Sequence, residues 1–353
     1  MNDIIIYKNA IKNSMHYALE KNKNSIIYGI GVTDYIGIFG TTEGLEQEFG
    51  SDRVFDTPIS EDAMTGFAVG ASLGGLYPIH IHIRADFLLL TMNQLINSAA
   101  KYRYTYGGLF QTPMLIRAVI GRSWGQGAQH SQSLQSLFAH IPGLTVIMPS
   151  SAEAAEKCYK YAVMHYKNPV ISFEHRLLYD YKFNKNSSLI DQNNPFDSYL
   201  VEEGNDITIV ASSIMVQEAI KASDYISKYE NISIEIIDIN SVSHPNQTLI
   251  LNSIRKTGKL IVADTSWLSH GLGAEISRMI LETDVTLLKK PMKNLGMAQA
   301  TCPTAKKLEY EFYPNLKDLV VSIYDLHFGT LKGKKIPSEE EIVYQYKYFK
   351  GPF

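Results

Sequence analysis

The sequence predicts an α/β protein of two doubly wound, open-sheet domains in series. Three observations carry this. Short apolar runs alternate with amphipathic stretches of helical period, the pattern of a mostly parallel sheet covered on both faces. The alternation halts at a polar, Asn-rich stretch around 184–197 and then resumes over a shorter span. The 353 residues are enough for two ordinary cores.

In order, residues 3–20 read as an amphipathic helix and 26–29 as a short strand before a Gly-rich turn. A small-residue helix over 66–76 leads into 78–83, a strand by its alternation. A helix of about three turns is expected over 90–102. Strands follow at 114–119 and 145–148, then a helix over 152–166 and a closing strand at 170–173. The second set has strands at 207–211, 233–239 and 260–263, with helices over 215–228, 246–257 and 273–283. This places a first domain at 1–183, a linker at 184–205, a second domain at 206–328 and a charged, Tyr-rich tail at 329–353. The tail reads equally as an interaction segment or as an extra packing helix.

Composition narrows the function. Hydrophobic residues are 45% and charged residues 20%, a globular balance. A net charge of -3 gives no electrostatic case for nucleic acid or an anionic membrane as partner. The two cysteines, Cys158 and Cys302, have no metal or redox spacing and fit reduced thiols in a cytoplasmic protein. Lys8, Lys12, Lys21 and Lys23 interrupt the apolar N-terminal run, so neither a signal peptide nor a membrane span is expected there.

The most informative stretch is Asp56-Thr57-Pro58-Ile59-Ser60-Glu61, followed by the run Gly66 to Gly75. Small residues let a helix approach a flat ligand or a neighbouring backbone closely. A carboxylate at its start can share a proton with a ring nitrogen. Locally, an ordinary helix cap by Ser60 with acids in the first turn accounts for it equally well. His80 and His82 fall on one strand face, but no further ligand has metal spacing. Gly29-Ile30-Gly31 lacks the third glycine and the ribose-binding acid of a dinucleotide fingerprint.

The chain resembles the β subunit of the thiamine-diphosphate-dependent first component of the 2-oxo acid dehydrogenase complexes, the pyruvate, branched-chain and acetoin enzymes. The blocks are Gly37–Leu45, Asp56–Glu61, Asn93–Lys101, Gly127–Ser133, His140–Leu144, Asn168–Val170, Gly271–Ile276 and Pro303 to Pro314. Their order and spacing are specific together, though each alone is weak.

The resemblance implies a transketolase-like pyrimidine-binding domain followed by a smaller transketolase C-terminal-like domain. It implies Glu61 as the carboxylate that activates the cofactor's pyrimidine, Ile83 and Phe87 as its apolar wall, and His130 as the histidine assisting acyl transfer. His82 and Arg122 are the substrate candidates, with Arg117 and Trp124 also flanking the His130 loop. No Gly-Asp-Gly motif followed by Asn occurs, so the diphosphate and Mg²⁺ are expected on an α-type subunit in a two-alpha, two-beta assembly. A pyruvate-like 2-oxo acid is the implied substrate.

The sequence also departs from the family. Ile30 replaces a family acid, Ile81 a family Glu, and Tyr166 an Asp associated with potassium. The Arg84–Phe87 and Trp124–Gly127 segments are divergent, which leaves a lipoyl acyltransferase or a small molecule open as acceptor. A split transketolase-type ketol transferase or carboligase, acting on a sugar or natural-product intermediate, is the first alternative. A non-catalytic scaffold is the second, and intact Glu61 and His130 argue against it.

Overall fold

A computed structural model of the chain describes residues 4–122, 125–184 and 189–343. The chain packs as two units. One takes the described residues up to Gly121 together with Gln129–Phe196. The other takes Arg122–Ala128 and the described residues from Asp197 onward.

The first unit contains strands β1 (Ile4–Ile6), β2 (Ser25–Gly29), β3 (Val54–Phe55), β4 (Tyr77–His82), β5 (Met114–Ile120), β6 (Thr145–Ile147), β7 (Pro169–His175) and β8 (Lys182–Asn184). Six of them form a parallel sheet in the order β3-β2-β4-β5-β7-β6. Every residue of β2, β4, β5 and β7 is buried, as a sheet covered on both faces requires. The chain leaves β2 for β3 on one side and returns to β4 on the other. The carboxyl ends of β2 and β4 are therefore the topological switch point, where open α/β sheets bind ligands.

Two local differences from the sequence reading have simple causes. The N-terminal helix starts at Tyr7, because three consecutive β-branched isoleucines form β1 and pair antiparallel with β8. The helix expected over 90–102 runs from 85 to 105 and is irregular. It begins as a 3-10 segment (Ala85–Thr91), widens to a π segment (Asn93–Ala99) and ends as α-helix (Ala100–Thr105). Segments of this type recur at functional sites.

The second unit holds β9 (Tyr199–Glu202), β10 (Ile207–Ala211), β11 (Ile234–Asp238), β12 (Leu260–Trp267) and β13 (Lys293–Met297). Their order is β13-β12-β10-β11-β9, parallel except for β9 at the edge. The helix Gln247–Thr257 shows how the sequence sets its ends: Asn246 accepts from the Leu249 N–H, and Gly258 takes the left-handed conformation that stops it. The described part of the tail packs on this unit. Lys334 pairs with Glu230 and lies 3.3 Å from the Phe328 ring centroid, and Ile342 is buried. Residues 185–188 of the expected linker and 344–353 of the tail lie outside the described residues. Among the described residues no helix is long and apolar enough to cross a membrane.

Candidate active site

The site candidates of the first unit gather on segments that leave the carboxyl edge of its sheet. At the end of β2, Gly29 has φ +154°, and a Cβ there would lie 2.3 Å from the Ile81 carbonyl oxygen. Only glycine lets β2 and β4 run so close before the chain turns. The Asp56 carboxylate fixes the following loop, accepting from the Gly31 N–H (3.3 Å) and the Thr33 N–H (3.0 Å). The Ile83 side chain packs beside Gly31, with Cδ1 3.5 Å from where a Cβ would stand.

Glu61 is the first residue of the helix Glu61–Leu73 and is half-buried. With Asp62 it puts acids at the positive end of the helix dipole. The Ser60 hydroxyl does not cap this helix; it donates to the Asp62 carboxylate instead. Among the described residues the Glu61 carboxylate has no hydrogen bond and no ion pair. An acid held at a switch point without a partner is available to a ligand.

Beyond β4 the 3-10 segment turns Asp86 inward and Phe87 outward, leaving Phe87 36% exposed. The half-buried His130 follows a short 3-10 turn, Gly127–Gln129, and meets Phe87 edge to face, with centroids 5.3 Å apart and an interplanar angle of 85°. Asp86 accepts from the Gln132 N–H (3.2 Å) and the Gln132 side-chain amide (2.8 Å). The sequence reading did not select Asp86, and its one signal was the divergent Arg84–Phe87 segment.

His82 lies beneath this edge, 4% exposed at the end of β4. Its ring centroid is 4.1 Å from that of His80, which stacks on Tyr28 at 4.7 Å and shares a 3.2 Å hydrogen bond with the Thr65 hydroxyl. Burial pushes the His82 imidazole down to about 3. Burial, with His82 as neighbour, also holds His80 well below the ordinary histidine range. Both are neutral at physiological pH. The Nε2 atom of His82 is buried, with no hydrogen-bond partner among the described residues.

The arginines go elsewhere. Arg117 is wholly buried in an ion pair with Glu174, whose two oxygens also accept from the Tyr159 and Tyr179 hydroxyls at 2.5 Å. It also donates to the Thr41 hydroxyl. That network ties the sheet together and leaves Arg117 unavailable as a substrate grip. Arg122 belongs with the second unit, its guanidinium 5.1 Å from the Tyr313 ring centroid. Trp124 lies outside the described residues. Among the described residues no group of three or more metal-ligating side chains occurs, and the two buried cysteines form no disulfide.

Residues 5–182 match the family described as transketolase, pyrimidine binding domain, and residues 198–319 match transketolase, C-terminal domain. The chain is 35% identical over 316 residues to pyruvate dehydrogenase E1 component subunit beta-2, mitochondrial, of Oryza sativa subsp. japonica, covering 89% of this chain and 84% of that one. It is 31% identical over 320 residues to the pyruvate dehydrogenase E1 component subunit beta of Rickettsia conorii, covering 90% and 97%. A solved structure titled split gene transketolase, inactive beta4 tetramer, superimposes with a TM-score of 0.72 over 91% of this chain and 98% of that one. At 20% identity that likeness speaks to the fold alone. By its two domains and its relatives over nine-tenths of its length, the chain belongs to the family of pyruvate dehydrogenase E1 component β subunits.

Proposed function

We propose that this chain is the β subunit of a thiamine-diphosphate-dependent enzyme that decarboxylates a pyruvate-like 2-oxo acid and passes the acyl unit to an acceptor. The observation that carries this is the unpartnered Glu61 carboxylate beside the switch point of a pyrimidine-binding-type domain. The residues present suit the pyrimidine end of the cofactor. They offer a carboxylate free to bond a ring nitrogen, the Ile83 side chain packed at the Gly31 turn, and a Phe87 face over a third exposed. When bound, the cofactor supplies the covalent chemistry of decarboxylation. The chain supplies orientation and proton control. Glu61 holds a proton at the pyrimidine nitrogen, Ile83 and Phe87 exclude water, and His130 moves a proton in the transfer step that follows.

The diphosphate and Mg²⁺ would sit mainly on an α-type subunit in a two-alpha, two-beta assembly, since this sequence has no Gly-Asp-Gly motif for them. Of the two substrate candidates, His82 is the better supported, because it offers a neutral imidazole with an unpartnered Nε2. The acceptor is a lipoyl acyltransferase or a small molecule, and the setting is cytoplasmic, with no nucleic acid or membrane as partner. Calorimetry tests the split site. The isolated chain should bind thiamine diphosphate and Mg²⁺ weakly, and addition of an α-type subunit should restore tight binding. Micromolar binding by the chain alone would refute the division of the site between two chains.

A further inference from the structure

We propose that Phe39 is the positioning residue of Ile83: its ring, held on a left-handed turn, seats Arg84 and so fixes the apolar wall assigned to the cofactor's pyrimidine. The turn is costly in itself. Ile38 (φ 40°, ψ 59°) and Phe39 (φ 57°, ψ 33°) are both left-handed. That region is uncommon for any residue with a Cβ and an outlier for a β-branched one such as Ile38. A strained backbone persists only where its surroundings over-determine it, and such places cluster at functional sites.

The surroundings of this turn are specific. On one side it is tied to the buried Arg117–Glu174 network. The Thr41 hydroxyl accepts from Arg117 and donates to the Ile38 carbonyl, each at 3.0 Å. The Phe39 ring meets that of Tyr179, whose hydroxyl donates to Glu174, at 6.0 Å and 65°. Just past the end of β7, Arg176 lays its guanidinium 4.6 Å from the Phe39 centroid. On the other side, just past the end of β4, the Arg84 guanidinium lies 5.6 Å from the same centroid. Arg84 is 4% exposed, and burial pulls it down to about 10, so it stays a cation at physiological pH. A cation taken out of water against an aromatic ring is held there more firmly than an exposed one.

The contacts close into a circuit. Arg84 donates to the Ile83 carbonyl at 2.7 Å. The Ile83 side chain packs beside Gly31. The Gly31 carbonyl accepts from the Ile38 N–H at 3.3 Å, and Phe39 follows. The Phe39–Arg84 contact is the link that a side-chain substitution cuts without touching Ile83 or Gly31.

The assignment rests on the reading of Ile83 as the cofactor's wall, and its first readout is independent of that reading. Amide hydrogen exchange on the full chain, resolved by peptide, compares residues 31–40 and 83–90 with β5 and β7. Phe39→Ala should speed exchange in the first two segments about tenfold, the scale of one desolvated cation–π contact, and leave β5 and β7 at the parent rate. Phe39→Tyr keeps the ring and should keep the parent rates. If Phe39→Ala does not fold, Arg84→Met cuts the same link from its other end and should speed the same two segments. The second readout is the affinity of the reconstituted two-subunit enzyme for thiamine diphosphate, measured by calorimetry. Phe39→Ala should weaken it about tenfold, and Phe39→Tyr should not. Unchanged exchange at 83–90 overturns the proposal. A rise spread equally over β5 and β7 also overturns it, because Phe39 would then serve the fold as a whole. Faster exchange confined to the two segments, with an unaltered cofactor affinity, supports the Phe39 assignment and counts instead against Ile83 as the cofactor's wall.

Discussion

The two units carry parallel strands whose carboxyl ends are built in opposite ways. In the second unit the acids at those ends are used up internally. Asp264, near the end of β12, accepts from the Ser212 hydroxyl (2.5 Å), the Ser266 hydroxyl (2.5 Å) and the Thr265 N–H (2.8 Å). Asp238, at the end of β11, accepts from the Tyr199 hydroxyl (2.6 Å) and the Asn240 N–H (2.8 Å). In the first unit Glu61 has no partner among the described residues, Phe87 shows its face and His130 is half-buried. Buried polar groups satisfied within the fold stabilise it and have little left for a ligand. A carboxylate left open contributes little to stability and is free for chemistry. The same sheet edge is thus internally satisfied at Asp238 and Asp264 in one unit and left open at Glu61 in the other.

The sharpest way to break this contrast is Glu61→Gln. An acid–base carboxylate typically accounts for about 10²–10⁴-fold in rate, so decarboxylation by the reconstituted two-subunit enzyme should fall by at least that much. Its unfolding free energy should move by no more than about 0.5 kcal/mol, because no partner in the chain is lost. Near-parent turnover would reduce Glu61 to a helix-dipole residue. A large stability loss would show a partner for it that the contrast denies.

Asp264→Asn should do the reverse. The amide presents donors where hydroxyl and N–H donors already point, and charge-assisted bonds are worth about 1.5–3 kcal/mol each. Denaturant unfolding of the chain should register a loss of about 3 kcal/mol, while decarboxylation per folded molecule stays near the parent value. A variant that keeps its stability and loses turnover would make the second unit's sheet edge a reactive one as well.

The alternation of apolar runs was sufficient to read two α/β domains, because buried parallel strands and amphipathic helices carry their own periods. Placement at the sheet edge was legible where it follows from neighbours in sequence: Glu61 after Asp56–Ser60, and His130 within Gly127–Ser133. Roles set by distant partners were not legible. Nothing around Arg117 reveals that Glu174, 57 residues on, consumes its charge. Nothing around Arg122 places it on Tyr313. Asp86 becomes visible only when Gln132, 46 residues away, closes on it. Ile4–Ile6 joined the helix in the sequence reading because their pairing with 182–184 is equally remote.

The smallest expected effect lies beneath the reactive edge, in the neutral pair His80 and His82. An imidazole whose pKa is lowered by folding binds its proton mainly in the unfolded chain. Its contribution to stability is complete above about pH 6.5 and is lost as pH falls toward the folded value, about 3 for His82. Between pH 8 and pH 5 that linkage amounts to about 2 kcal/mol for His82, with a further loss in the same direction from His80. His82→Phe removes the titrating group and the unpartnered Nε2 while filling similar space. Urea unfolding of parent and variant at the two pH values should show the variant losing about 2 kcal/mol less on acidification. Equal losses would mean that His82 is already charged, or already hydrogen-bonded, in the folded chain, and the first unit's sheet edge would then be as internally satisfied as the second's.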